Sequence, residues 1–171
     1  GPNCTLKFYD SPGHANHHFS IFHPALNGMF TGDTAGVCYP RLKEHGIELY
    51  LPSTSPNQFN PFKMFKSIEM YEKMNLEFIF FGHYGMSSNP KEVYRQIKDW
   101  LKIFMNAGET AFSSGGSTGH QTQAAQALLE EKVKGYLKGK GIPLDHPVYE
   151  VLAVDIAVCS MGLIDYLHKA N

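Results

Sequence analysis

A chain of 171 residues, 43% hydrophobic and 13% aromatic, is long enough for one domain with a real core and too short for two large ones. With 15 Lys and Arg against 16 Asp and Glu, its net charge of -1 lacks the basic footprint of a nucleic-acid binder, and apolar runs such as LEFIFF fall far short of a membrane span. Cys4, Cys38 and Cys159 are widely spaced and form no C-x-x-C pair, which suits free or buried thiols in a reducing, cytoplasmic compartment and argues against a disulfide framework or a cysteine-held zinc.

Strand signals come first along the chain. Residues 4 to 10 and 18 to 23 read as short strands joined by the turn SPGHANH. Asn27-Gly28 is a hairpin signal, and residues 29 to 31 make a brief strand stopped by Gly32. From 34 to 60, Pro40, Pro52, Pro56 and the polar run PSTSPNQ predict a loop carrying one short strand, GIELYL; loops of that length are more often functional than decorative.

Helix signals then take over. Asn60 as N-cap and Pro61 behind it start a helix whose Met64, Phe65, Ile68, Tyr71 and Met74 recur at helical spacing, ending near Asn75. LEFIFFGH has the unbroken apolar character of a strand buried on both faces and stops at Gly82-His83. Asn89-Pro90 repeats the helix-start chemistry, and Val93, Ile97, Trp100, Leu101 and Phe104 form one apolar stripe. The run GETAFSSGGSTGHQTQ predicts a mobile connector, and residues 124 to 138 and 148 to 169 read as two helices forming a hairpin.

Three polar residues stand where predicted strands end: His14 after Gly13, Asp33 after Gly32 and His83 after Gly82. A glycine lets the backbone turn sharply off a sheet edge and holds the next side chain over it, so the three are expected to converge in space. Two imidazoles and a carboxylate are donors for zinc, iron or manganese, and a carboxylate has two oxygens with which to bridge two ions. Tyr84, beside His83, is placed to hydrogen-bond a substrate or to pack. His17 and His23 read as solvated residues, and His45, His120, His146 and His168 as surface. Asp155 and Cys159 share a helix face, but the stripe Val148, Leu152, Ile156, Leu163 and Leu167 explains that helix by docking or an oligomer interface.

In this order, and with a helix before the last, SPGHANHH, FTGD and FGHYG closely resemble the third, fourth and fifth metal-binding motifs of the metallo-β-lactamase-fold hydrolases, over residues 4 to 105. Residues 51 to 85 look like the glyoxalase-II-like branch. The resemblance implies that His14 binds a first metal, Asp33 bridges both, His83 binds the second, and His18 is a pocket residue behind them. It also implies an α/β fold of the αββα type, a mixed sheet flanked by helices, and two divalent ions, zinc first with iron and manganese as alternatives. The activity implied is hydrolysis of a small-molecule ester, thioester, lactone or amide by a metal-bound hydroxide.

One departure shapes the expectation: the family's H-x-H-x-D-H run is absent from the sequence. The chain is therefore expected to hold the C-terminal half of the sandwich over 1–107, a flexible connector over 108–121 and a C-terminal helical hairpin over 122–171. Such a half would associate with the missing N-terminal half or with a second copy, as a dimer, and would be inactive alone. The rival reading is a non-catalytic interaction or dimerisation module, or one half of a split enzyme. Neither a nucleic acid nor a membrane is expected as a partner.

Overall fold

The computed structural model describes residues 5–170; Cys4, with the start of the strand expected over 4 to 10, lies outside them. Strands β1 (Lys7–Asp10), β2 (Phe19–His23) and β3 (Gly28–Gly32) form an antiparallel meander. Between β2 and β3 the chain makes a 3-10 turn over Pro24–Leu26, and Asn27 completes the reversal at a φ of 42°, a left-handed conformation that asparagine tolerates. The chain then leaves the sheet for β4 (Val37–Cys38) and β5 (Tyr50–Leu51), which pair with each other. Helix α1 (Pro61–Lys73) carries it back to β6 (Phe78–Phe81), parallel to β3, and β7 (Met86–Ser87) lies antiparallel at the edge. The mixed sheet has the order β1-β2-β3-β6-β7. Helices α2 (Pro90–Ser113), α3 (Thr118–Gly139) and α4 (Val148–Ala170) complete the chain.

Both N-cap readings hold in detail. The Asn60 side-chain oxygen accepts from the Lys63 N–H at 2.9 Å and that of Asn89 from the Glu92 N–H at 3.4 Å, each with proline at the next position.

Helix α2 serves two cores. Its Val93, Tyr94 and Ile97 pack with Ile68 and Tyr71 of α1 beneath Met29, Ile79 and Phe81 on the inner face of the sheet. Further along, its Trp100, Leu101 and Phe104 join Leu129 and Val133 of α3 and Leu152, Ile156 and Leu163 of α4.

Three sequence readings are corrected. GIELYL supplies only a two-residue strand; Tyr50 donates its N–H to Gln96 Oε1 at 3.0 Å, so a helix side chain takes the place of further ladder partners. The segment expected to be a mobile connector is largely helix: α2 runs to Ser113 and α3 begins at Thr118. The small residues that looked flexible allow close helix contact, since a Cβ on Gly108 would stand only 3.3 Å from Leu163 Cβ.

The third correction is to β6, which is not buried on both faces. Ile79 and Phe81 point into the core, while Phe78 and Phe80 are half-buried on the outer face. The strand registers align Phe8, Ile21, Phe30, Phe80 and Met86 in one row across that face. Phe8 is 63% exposed and Phe30 42%, and Phe30 stacks on Phe80 at 4.6 Å. An apolar row of this length has the character of a surface meant to be covered. No helix of the described residues is long and apolar enough to cross a membrane.

Candidate metal centre

Strand direction explains why residues far apart in sequence meet. Since β1 and β3 each run antiparallel to β2, and β6 runs parallel to β3, the C-terminal ends of all three lie on one edge of the sheet. His14 follows β1, Asp33 follows β3 and His83 follows β6. The crevice beyond the carboxyl ends of strands is where open α/β sheets place ligands.

The three side chains converge as expected. His14 Nε2 lies 3.7 Å from Asp33 Oδ2, and His83 Nε2 lies 3.4 Å from Asp33 Oδ1. The carboxylate thus stands between two imidazoles and turns one oxygen to each. His14 and Asp33 are mostly covered, with side chains 19% and 23% exposed, whereas His83 is open at 57%.

Each member is held from behind. His14 Nδ1 lies 3.1 Å from the Ser53 carbonyl, to which it donates, and its Nε2 is turned toward Asp33. His18 Nε2 accepts the Asp33 N–H at 3.4 Å, while its Nδ1 lies 3.0 Å from Thr34 Oγ1, a hydroxyl that donates its own proton to the Ser11 carbonyl. That pattern requires neutral His18, and burial first, then the neighbouring His14, lowers its pKa accordingly. His18 thus lies behind Asp33 and holds its backbone N–H.

Two glycines make the room. A Cβ on Gly82 would stand 2.9 Å from Asp33 Oδ1, and one on Gly32, whose φ is 49°, would collide with His18 Nε2. The glycines before Asp33 and His83 thus do more than turn the chain, since each leaves space for a site side chain.

The residues fit a pair of divalent cations in part. Asp33 Oδ1 is buried and has no hydrogen-bond partner, an expense that a bound cation would relieve. The imidazole of His14 is oriented through its second nitrogen by a backbone carbonyl, the usual support of a metal-ligating histidine. Yet among the described residues no three His, Cys, Asp or Glu side chains close around a single point as the shell of one ion. The layout is one carboxylate between two histidines, with one oxygen turned to each.

A cleft of about 320 Å³ opens over this edge, and α4 forms its far wall with Asp155, Val158 and Cys159. The apolar stripe of this helix reads as docking or an oligomer interface and gives Asp155 and Cys159 no place at the strand ends. Asp155 Oδ2 accepts from the Tyr39 hydroxyl at 2.7 Å, and no local sequence signal links it to the strand ends. Tyr84, predicted from its place beside His83, also lines the cleft and holds a left-handed φ of 70°.

Cys159 is structural. Its Sγ accepts the Thr54 N–H at 3.4 Å and faces the Pro52 carbonyl at 3.6 Å, and burial pushes its pKa up to about 11. At pH 8 only about a thousandth of such a thiol is ionised. Native Cys159 is expected to resist iodoacetamide at pH 8 and to react on unfolding in urea, read by mass spectrometry of its peptide. Rapid native labelling would mean that α4 does not cover the loop.

Two solved structures share this arrangement of elements. An archaeal metallo-β-lactamase superfamily protein from Sulfolobus tokodaii matches 94% of the chain with a TM-score of 0.50 and 21% identity. A metallo-β-lactamase family protein from Thermus thermophilus matches 96% with a TM-score of 0.60 and 10% identity. The chain covers 46% and 44% of those proteins, less than half the length of each. At these identities the likeness is one of fold: an α/β chain with a mixed sheet flanked by helices. Neither a protein-family model nor a curated protein matches the sequence.

Proposed function

We propose that the chain is the metal-binding C-terminal part of a metal-dependent hydrolase of the metallo-β-lactamase superfamily, acting on an ester, thioester, lactone or amide. The observation that carries the reading is Asp33, with one carboxylate oxygen turned to His14 and the other to His83 at the edge where three strands end. Divalent metals supply such a hydrolysis with polarisation of a carbonyl oxygen and a nucleophilic water at neutral pH. Zinc is the first choice for this donor set, with iron and manganese next.

The chain's own residues would hold and orient. His14, fixed by the Ser53 carbonyl, and His83 would each bind one ion, and Asp33, fixed through its N–H by His18, would bind both. The Tyr39–Asp155 wall would bound the substrate on the side of α4. The passage from 51 to 85 favours the glyoxalase-II-like branch, and the free, buried Cys38 and Cys159 favour a reducing compartment.

Each ion would receive two protein donors here, where a catalytic zinc typically has three and a water. The remaining donors would come from a second layer packed on the bare sheet face, either the N-terminal half of the sandwich or another copy of the chain. This leads to a prediction for the 171-residue chain alone: weak zinc binding, ester and thioester hydrolysis no faster than buffer, and self-association through the phenylalanine row. Sedimentation and a substrate panel check it, with Phe8→Lys/Phe30→Lys expected to give monomers. Tight stoichiometric zinc with turnover abolished by Asp33→Ala would show that the chain completes its own site. Turnover absent even with the second layer restored and zinc added would remove the hydrolase reading. In that case the exposed row of phenylalanines favours the rival, a non-catalytic interaction module.

A further inference from the structure

The cleft over Asp33 does not end at Tyr84. A second hollow of about 300 Å³ shares Tyr39 and Tyr84 with it and continues past Pro40 and Arg41 to Val148 and Val151 of α4. The two ends differ in chemistry. The first carries two carboxylates, Asp33 and Asp155, whereas the second has aromatic and aliphatic walls and one guanidinium.

Arg41 stands apart from the chain's other arginine. Arg95 is held by Glu92 and Asp99 at 2.6 and 2.9 Å, while Arg41 has no ion-pair partner among the described residues. An unpaired guanidinium at the end of an apolar trough presents a planar fork of donors that matches a carboxylate. Tyr84, at the junction of the two hollows, holds its left-handed φ of 70° without being glycine or asparagine. Strained backbone of that kind gathers at ligand clamps.

We propose that this second hollow is a substrate subsite selecting an acyl compound with an apolar body and a carboxylate terminus. Arg41 pairs with the carboxylate, the body lies between Tyr39, Tyr84 and the two valines, and the reacting carbonyl reaches the Asp33 end. Asp155, anchored by the Tyr39 hydroxyl, places a carboxylate on the wall at the Asp33 end, away from Arg41. The inference names the substrate class for the hydrolase reading and rests on it.

The test is an NMR titration of the full chain with hexanoate, hexanol and hexylammonium, in the parent protein, Arg41→Gln and Arg41→Lys. Hexanoate is expected to move the signals of Tyr39, Tyr84 and Val151 and to bind at least ~10-fold more tightly than hexanol or hexylammonium. Arg41→Gln should reduce hexanoate to the level of hexanol, and Arg41→Lys should restore part of the difference. Equal binding of hexanoate and hexanol, or no change in Arg41→Gln, overturns the proposal. A parallel zinc titration read at the His14 and His83 rings separates the two readings. Zinc binding without discrimination by Arg41 overturns the subsite alone. Discrimination by Arg41 with no shift of the His14 and His83 rings even at millimolar zinc upholds anion recognition and overturns the metal site on which the hydrolase reading rests.

Discussion

Asp33→Asn is expected to stabilise the zinc-free protein and at the same time remove its affinity for zinc. The stabilising half follows from Asp33 Oδ1, buried without a hydrogen-bond partner. A neutral amide of the same shape lowers the desolvation cost and can donate to His83 Nε2, which lies 3.4 Å from that oxygen. Because the side chain is partly exposed, the gain should be about 1 kcal/mol, or roughly 3 °C in melting temperature. The binding half follows from position, since Asp33 is the residue that faces both histidines. Losing the shared anionic ligand should weaken zinc by ~100-fold or more, beyond what removing an outer-shell partner costs. Calorimetry in chelator, together with zinc-induced shifts of the His14 and His83 ring signals, reads both effects. A variant that is less stable and binds zinc unchanged would make Asp33 an ordinary structural carboxylate.

Gly162→Ala sets two principles against each other. Alanine in a helix interior normally stabilises by about 1 kcal/mol over glycine. Here a Cβ at 162 would fall within the Thr54 carbonyl group, with the Ser55 backbone close behind, and backbone cannot swing aside like a flexible side chain. We expect the clash to win and the variant to lose about 3 kcal/mol, seen as a lower urea midpoint. The loop struck is the one whose Ser53 carbonyl orients His14, so the ring signals of His14 should move as well. A stabilised variant would show that α4 stands off the loop.

Much of this site was legible before any coordinates because its signals are local. A glycine followed by a His or Asp beyond a strand end is a short pattern, and it occurs at His14, Asp33 and His83. The asparagine-proline helix starts at 60 and 89 are equally local, and both caps form. What escaped the sequence depends on partners far along the chain. Asp155 reaches the cleft because Tyr39, 116 residues away, anchors it. Arg41 enters the second hollow because α4 supplies the opposite wall. Gly108 and its neighbours read as a linker because small residues signal flexibility when no neighbour is known, whereas against Leu163 they signal close packing. The phenylalanines of β6 read as buried on both sides because hydrophobicity shows that a surface is apolar without showing what covers it.

The grip of α4 on the loop at 53–55 also bears on the order of events during synthesis. His14, Asp33 and His83 precede α4 in the chain, so the sheet and first two helices that carry them can emerge and pack before it does. The Thr54 hydroxyl, however, donates to the Cys159 carbonyl at 2.9 Å, and its backbone rests on Gly162, so the loop beneath His14 waits for the last helix. It follows that a nascent chain carries all three side chains before His14 is aimed, and that the emergence and docking of α4 is the step that fixes the carbonyl orienting its ring.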